Sequence, residues 1–117
     1  MPVGNQRLSV SELVPENIPL DIVYEDDTCV AFRDIQPQAP THILVVPRKP
    51  IENVAALEPD DAALAGHLLV VAAQIARQEG LTNGFRAVLN TGADGGQSVD
   101  HLHLHLLGGR PLRWPPG

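Results

Sequence analysis

A chain of 117 residues is long enough for one hydrophobic core and too short for two. Apolar residues make up 44% of it and the formal charge is -6, which favours a globular fold and excludes a surface built to track DNA or RNA. The single cysteine, Cys29, rules out an intrachain disulfide and a cysteine-based zinc knuckle, and no apolar run approaches the length of a membrane span.

Residues 1–17 are expected to form an N-terminal arm or short helix around Leu8, Val10, Leu13 and Val14, and residues 18–117 the single domain. The first ten residues lack the charged-then-apolar pattern of a signal peptide, so a cytoplasmic location is the expectation. Residues 21–24 read as a strand, 25–28 as an acidic turn, and 29–32 as the returning strand of a hairpin in which Cys29 is a small buried hydrophobe. Residues 33–40 form a loop held by Pro37 and Pro40. Asp34 leaves the strand end, where its carboxylate can cap a turn or accept hydrogen bonds from a ligand diol. Residues 41–46 are nearly all apolar and mostly β-branched, hence a central strand, with His42 the odd polar residue at its start.

Residues 51–57 are expected to form a short helix closed by Pro59. The long helix is placed at 60–79. Asp60 and Asp61 favour its positive end, Leu64, His67, Leu68, Val71 and Ile75 recur at helical spacing, and Gly80 stops it. His67 is read as a packing or capping residue. A fourth strand follows at 85–90, a glycine-rich loop at 91–98, a fifth strand at 99–107, and a break at Gly108-Gly109-Arg110. The proline-rich tail carries Trp114, which either folds back or reaches a neighbouring chain. Five mostly antiparallel strands with one long and one short helix make an α+β fold, and pairing across a two-fold axis would remove one of its open sheet edges.

The chemistry concentrates at the end of the chain. His101, His103 and His105 alternate with Leu102, Leu104 and Leu106, so a strand there puts three imidazoles on one face and three leucines on the other. Imidazole titrates near neutral pH and can serve as nucleophile, proton donor or hydrogen-bond partner. Just before them, Gly95 and Gly96 let backbone N–H groups approach an anion, and Ser98 adds a hydroxyl. A phosphate held by that loop would face His103, the middle imidazole, as nucleophile, with His101, His105 and His42 to orient it and handle protons. A three-histidine metal site is the competing reading. Alternate residues on one strand suit two ligands better than three, so no metal and no cofactor is expected.

The run from Gly95 to Leu107 resembles the signature of the histidine triad (HIT) family, His-x-His-x-His followed by apolar residues. The stretches at 26–32, 34–42 and 66–68, the ending Gly108-Gly109-Arg110, and Trp114-Pro115-Pro116-Gly117 are similar to its Hint branch. The resemblance implies a HIT-like α+β homodimer with one continuous sheet. It also implies hydrolysis of purine nucleoside phosphoramidates, such as an adenylyl group joined to an amine or to lysine, and binding of purine nucleoside monophosphates. Carried over, His103 forms a nucleotidyl-histidine. His105, Asn90, Gly96 and Ser98 contact the phosphate, Gln97 belongs to the nucleotide-binding set, and Ser98 also lies near the leaving group. His101 orients His103, and His42 joins the proton network. Asp34 holds the ribose, Phe32 and Ile35 line the base pocket, and Trp114 acts from the partner chain. The sequence departs from many relatives at Pro50, where they carry His, and at Asp100. Two other functions compete: a nucleotide-binding interaction module with incidental turnover, and a dinucleoside polyphosphate hydrolase or nucleotidyl transferase of a sister branch.

Overall fold

The computed structural model describes residues 20–117, so the expected arm at 1–17 lies outside it. Five strands form one antiparallel sheet: β1 (Ile22–Glu25), β2 (Cys29–Arg33), β3 (Thr41–Pro47), β4 (Phe85–Val88) and β5 (Leu104–Gly108), in the order β1-β2-β3-β5-β4. The apolar run of β3 lies between β2 and β5 and is buried from His42 to Pro47, which is why it lacks polar alternation. The helix α1 (Ala62–Gln78) packs across one face of the sheet. Its buried stripe is Leu68, Val71, Ala72, Ile75 and Ala76, the three- and four-residue spacing of one helical face. Against it lie Cys29, Ala31, Ile43, Val45, Leu102, Leu104 and Leu106.

The ends of α1 are chemically marked. A turn of 3-10 helix, Pro59–Asp61, precedes it, with a capping box between Glu58 and Asp61. Asp61 is buried and paired with Lys49 at 2.5 Å, so the helix proper begins two residues later than the sequence suggests. At the other end Gly80 takes φ +73, and Leu81 N–H closes on the Ala76 carbonyl at 3.0 Å. The hairpin β1–β2 turns on Asp26. Its Oδ1 accepts the N–H groups of Thr28 and Cys29, both at 2.8 Å, and its Oδ2 accepts Tyr24 Oη–H at 2.8 Å.

Three expected elements are shorter in the structure. The helix at 51–57 is one 3-10 turn, Val54–Ala56, because the carbonyls of Ile51 and Glu52 are taken by Leu102 N–H and the Gln97 side chain. The fourth strand stops at Val88, which leaves Asn90 to brace the following loop. The fifth strand starts at Leu104, not at 99. Leu102 N–H bonds to Ile51, outside the β3–β5 ladder, which ends at the Val45–Leu104 pair. The alternation nonetheless persists through this extended approach, since Leu102, Leu104 and Leu106 all enter the helix-side core. No helix among the described residues is long and apolar enough to cross a membrane.

Candidate active site

The face of the sheet away from α1 carries a small apolar floor of Val30, Phe32, Leu44 and Val46, with Leu20 against it. His42 is two residues from Leu44 on β3, and His105 sits opposite Leu44 on β5, so both imidazoles rise from this face. Their rings lie 5.1 Å apart, and the His103 ring meets His105 edge-on at 4.9 Å.

The hydrogen-bond partners fix where each proton sits. Gln38 N–H donates to His42 Nδ1 at 3.0 Å. A nitrogen that accepts carries no proton, so neutral His42 is protonated on Nε2. That Nε2 lies 2.9 Å from His105 Nδ1 and 3.4 Å from Asp34 Oδ2, and the nearer contact is the hydrogen bond. His105 Nδ1 therefore accepts, and the proton of neutral His105 is on Nε2, available to a ligand. Burial is the largest cause lowering the His42 pKa; Asp34 opposes it and the neighbouring His103 adds to it. Burial first, then the neighbouring His103 and His42, push His105 down to about 4 against the effect of Asp34. Both rings are neutral at pH 7, as this relay requires.

His103 is arranged the opposite way. Its Nδ1 is 2.6 Å from the His101 carbonyl, a group that only accepts, so Nδ1 holds the proton and Nε2 keeps its lone pair. That is the tautomer a nucleophile needs. Orientation thus comes from the main chain of His101. The His101 ring is buried, with Nε2–H donated to the Pro47 carbonyl at 2.9 Å, and so anchors the approach to β5. The three imidazoles are not equivalent members of one strand face: only His105 belongs to β5.

The loop before them is closed by its own groups. Gly96 takes φ +74, and a Cβ at Gly95 would lie 2.2 Å from the Thr91 carbonyl oxygen, so neither position admits a side chain without rearrangement. Asn90 Nδ2 donates to the Gly95 carbonyl at 2.7 Å. Gln97, expected to touch nucleotide, is instead the clamp of the loop. Its Oε1 accepts from Gly92 N–H and Asn53 Nδ2, its Nε2 donates to the carbonyls of Glu52 and Val99, and its N–H donates to the Gly92 carbonyl. Ser98 is exposed at the loop's exit. Phe32 is fully buried in the floor, and Ile35 is exposed nearby in sequence, on the loop after β2. Asp34 Oδ1 accepts Gln36 N–H at 2.9 Å. Trp114 is 81% exposed on the tail, which Arg86 holds through the carbonyls of Leu112 and Arg113.

Sequence reasoning had no means of finding three of these features: the Gln38 N–H, the Pro47 carbonyl and the Gln97 clamp. The first two are backbone groups, and Gln97 makes its contacts with residues 44 and 45 positions away. Among the described residues, two groups bring possible metal-ligand atoms within 4.8 Å of one another, Asp34–His42–His105 and Asp26–Cys29–His67. Each is internally hydrogen-bonded, at 2.9 Å between His42 and His105 and at 2.7 Å between Asp26 and His67. Burial pushes the Cys29 thiol up to about 11, so it is protonated at neutral pH and is no nucleophile.

Comparison with known proteins agrees with the geometry. The model of the HIT domain matches residues 15–112. This chain belongs to the HIT domain family. Among HIT relatives, an uncharacterized HIT-like protein of Synechococcus elongatus is 59% identical over 106 residues, covering 91% of this chain and 93% of the relative. The crystal structure of a HIT family hydrolase from Legionella pneumophila superposes with a TM-score of 0.86 at 45% identity, covering 94% of this chain and 100% of that one. A histidine triad nucleotide-binding protein from Candida albicans superposes with a TM-score of 0.69 at 28% identity, covering 84% and 76%.

Proposed function

We propose that this HIT protein is a purine nucleoside phosphoramidase of the Hint type, which hydrolyses the P–N bond of nucleoside 5'-phosphoramidates. The observation that carries the reading is the pair of opposite tautomers: His103 with a bare Nε2 beside His105 with a protonated one. His103 Nε2 attacks phosphorus, the P–N bond breaks, and the amine departs with a proton drawn from solvent past the exposed Ser98, which the later attacking water returns to solvent. The nucleotidyl group is then on His103. Water attacks the same phosphorus, His103 leaves, and a nucleoside monophosphate is released. His105 Nε2–H donates to a phosphate oxygen throughout, with His42 behind it. The turn at Gly96 and Ser98 receives the phosphate, Asn90 braces that turn, Asp34 accepts the ribose hydroxyls, and Ile35 with Phe32 borders the base. No cofactor enters this chemistry. The names hydrolase and nucleotide-binding protein, carried by the Legionella and Candida neighbours, support the same class of reaction and ligand.

A homodimer goes with this reading. Leu69 and Val70 on α1 and Phe85 on β4 are about half exposed, and among the described residues β4 has no strand partner on its outer edge. Pairing there would extend the sheet, and Trp114 would reach the partner's site. Sedimentation as a stable monomer at micromolar concentration refutes the shared sheet.

The decisive assay is amine release from an adenosine phosphoramidate by the wild type and by His103→Ala. The reading predicts turnover lost in the variant, and a radiolabelled nucleotidyl adduct trapped on His103 in the wild type. Equal background release by both proteins sinks it. Nucleotide binding without turnover would favour the interaction module, and faster turnover of a diadenosine polyphosphate the sister branch.

A further inference from the structure

The segment Gly108-Gly109-Arg110 does more than end β5. Gly109 takes φ +93 and runs so close to the loop after β2 that a Cβ on it would lie 2.9 Å from Pro40 Cβ. One residue on, Arg110 Nη2 donates to the Gln38 carbonyl at 2.9 Å, while Nη1 donates to the adjacent Pro111 carbonyl at 3.1 Å. Gln38 is the residue whose N–H donates to His42 Nδ1. Its carbonyl and its N–H flank the same Cα, so a group that holds the carbonyl restrains the two dihedrals that aim the N–H. The Gln38 side chain adds only a local bond, Nε2–H to the Gln36 carbonyl at 3.0 Å. Arg110 supplies the hydrogen bond that ties this residue to the far end of β5.

The aim of that N–H matters because the histidine pair is a chain of single protons. The proton on a neutral imidazole goes to whichever nitrogen the surroundings do not require as an acceptor. If the Gln38 N–H swings away, His42 can carry its proton on Nδ1 and present a bare Nε2 to His105. His105 must then donate from Nδ1, and its own Nε2 loses the proton that would face an anionic oxygen. A displaced loop residue thereby turns a donor into an acceptor two side chains away.

We infer that Arg110 is a positioning residue for the imidazole pair: by holding the Gln38 carbonyl it aims the Gln38 N–H at His42 and keeps the proton of His105 on Nε2. The effect on turnover rests on the phosphoramidase reading above; the tautomer is a property of the free protein.

Two measurements test it separately. Two-bond proton–nitrogen spectra of 15N-histidine-labelled protein at pH 7.5 read each tautomer without substrate. In the wild type His42 and His105 show the Nε2–H pattern and His103 the Nδ1–H pattern. Arg110→Met shifts His42 and His105 toward mixed tautomers and leaves His103, which is held by a main-chain carbonyl, unchanged. Arg110→Lys keeps the charge without the planar fork, gives an intermediate pattern, and serves if the Met variant does not fold. Arg48→Met, the loss of another exposed arginine, leaves all three rings as in the wild type. With an adenosine phosphoramidate, Arg110→Met lowers kcat about tenfold, part of what a positioned proton donor contributes, with KM little changed. Wild-type spectra for His42 and His105 in Arg110→Met overturn the inference, as does an unchanged kcat. A wild type inactive on phosphoramidate sinks the functional reading alone, because the spectra still judge Arg110.

Discussion

The sheet carries an aspartate–histidine cluster on each side of its edge hairpin, and the two are built from the same parts for different ends. On the helix side, Asp26 has both oxygens engaged: two backbone N–H groups on Oδ1, and Tyr24 with His67 on Oδ2. His67, led by its hydrogen bond, holds the Asp26 carboxyl far below the usual range against the opposing effect of burial. Both carboxylate oxygens are taken by groups of the protein itself, and the cluster fastens a hairpin to a helix. On the open side, Asp34 accepts one backbone N–H on Oδ1 and only approaches His42 with Oδ2. His42 and His105 beyond it are neutral and directional, the first ordered by the Gln38 N–H and the second by the His42 ring. A cluster saturated with donors is a rivet; one that ends in an outward N–H can act on a substrate.

Substitutions separate the two. His103→Ala on the open side removes turnover on the order of a thousandfold or more, far beyond the cost of about 1–3 kcal/mol for losing its bond to the His101 carbonyl. Gly95→Ala is next: the added carbon meets the Thr91 backbone, so the loop must rearrange, and turnover falls about ten- to a hundredfold with circular dichroism unaltered. On the helix side the pattern inverts. Asp26→Asn costs about 1–2 kcal/mol in a urea titration, through weakened charge-assisted bonds to the turn, and keeps kcat within about twofold. His67→Ala costs roughly 1 kcal/mol, again with activity kept.

Stability also depends on pH, and the two sides use different windows. Asp26 has a folded pKa below the ordinary 3.8, so its contribution is complete above that value and fades as the pH falls below it. His105 is depressed from 6.5 to about 4; the unfolded chain takes up its proton first, and stability declines as pH drops from 6.5 toward 4. Urea midpoints measured from pH 7 to 3 resolve the two. Asp26→Asn flattens the lower limb only, and His105→Asn the upper.

Much of this was legible in the residues. The central strand, the long helix and its glycine stop, and the leucine–histidine alternation all follow from local pattern, and each is present in the structure. What the pattern misses is where backbone groups end up. Period-two spacing predicts three imidazoles on a strand, yet Leu102 bonds to Ile51, and His103 closes on the carbonyl two residues back. Gln97 beside two glycines suggests a ligand contact, while its amide is satisfied by residues far along the chain. Asp26 and Asp34 both look like turn carboxylates, and only the packing of α1 against the hairpin tells them apart. Local periodicity encodes faces; it does not encode which distant carbonyl meets which ring.

The stretch between the Gln97 clamp and the first ladder pair at Leu104 is fastened at both ends, and its leucines enter the helix-side core while its imidazoles alternate with them. Removing one residue from it would exchange the two sets, driving imidazole into the oily layer and leucine into the cleft. Removing two would preserve the alternation but draw the glycine turn some 7 Å closer to the ladder. Length variation in this protein therefore has to be absorbed elsewhere, which makes the spacing itself as much a part of the candidate site as any side chain in it.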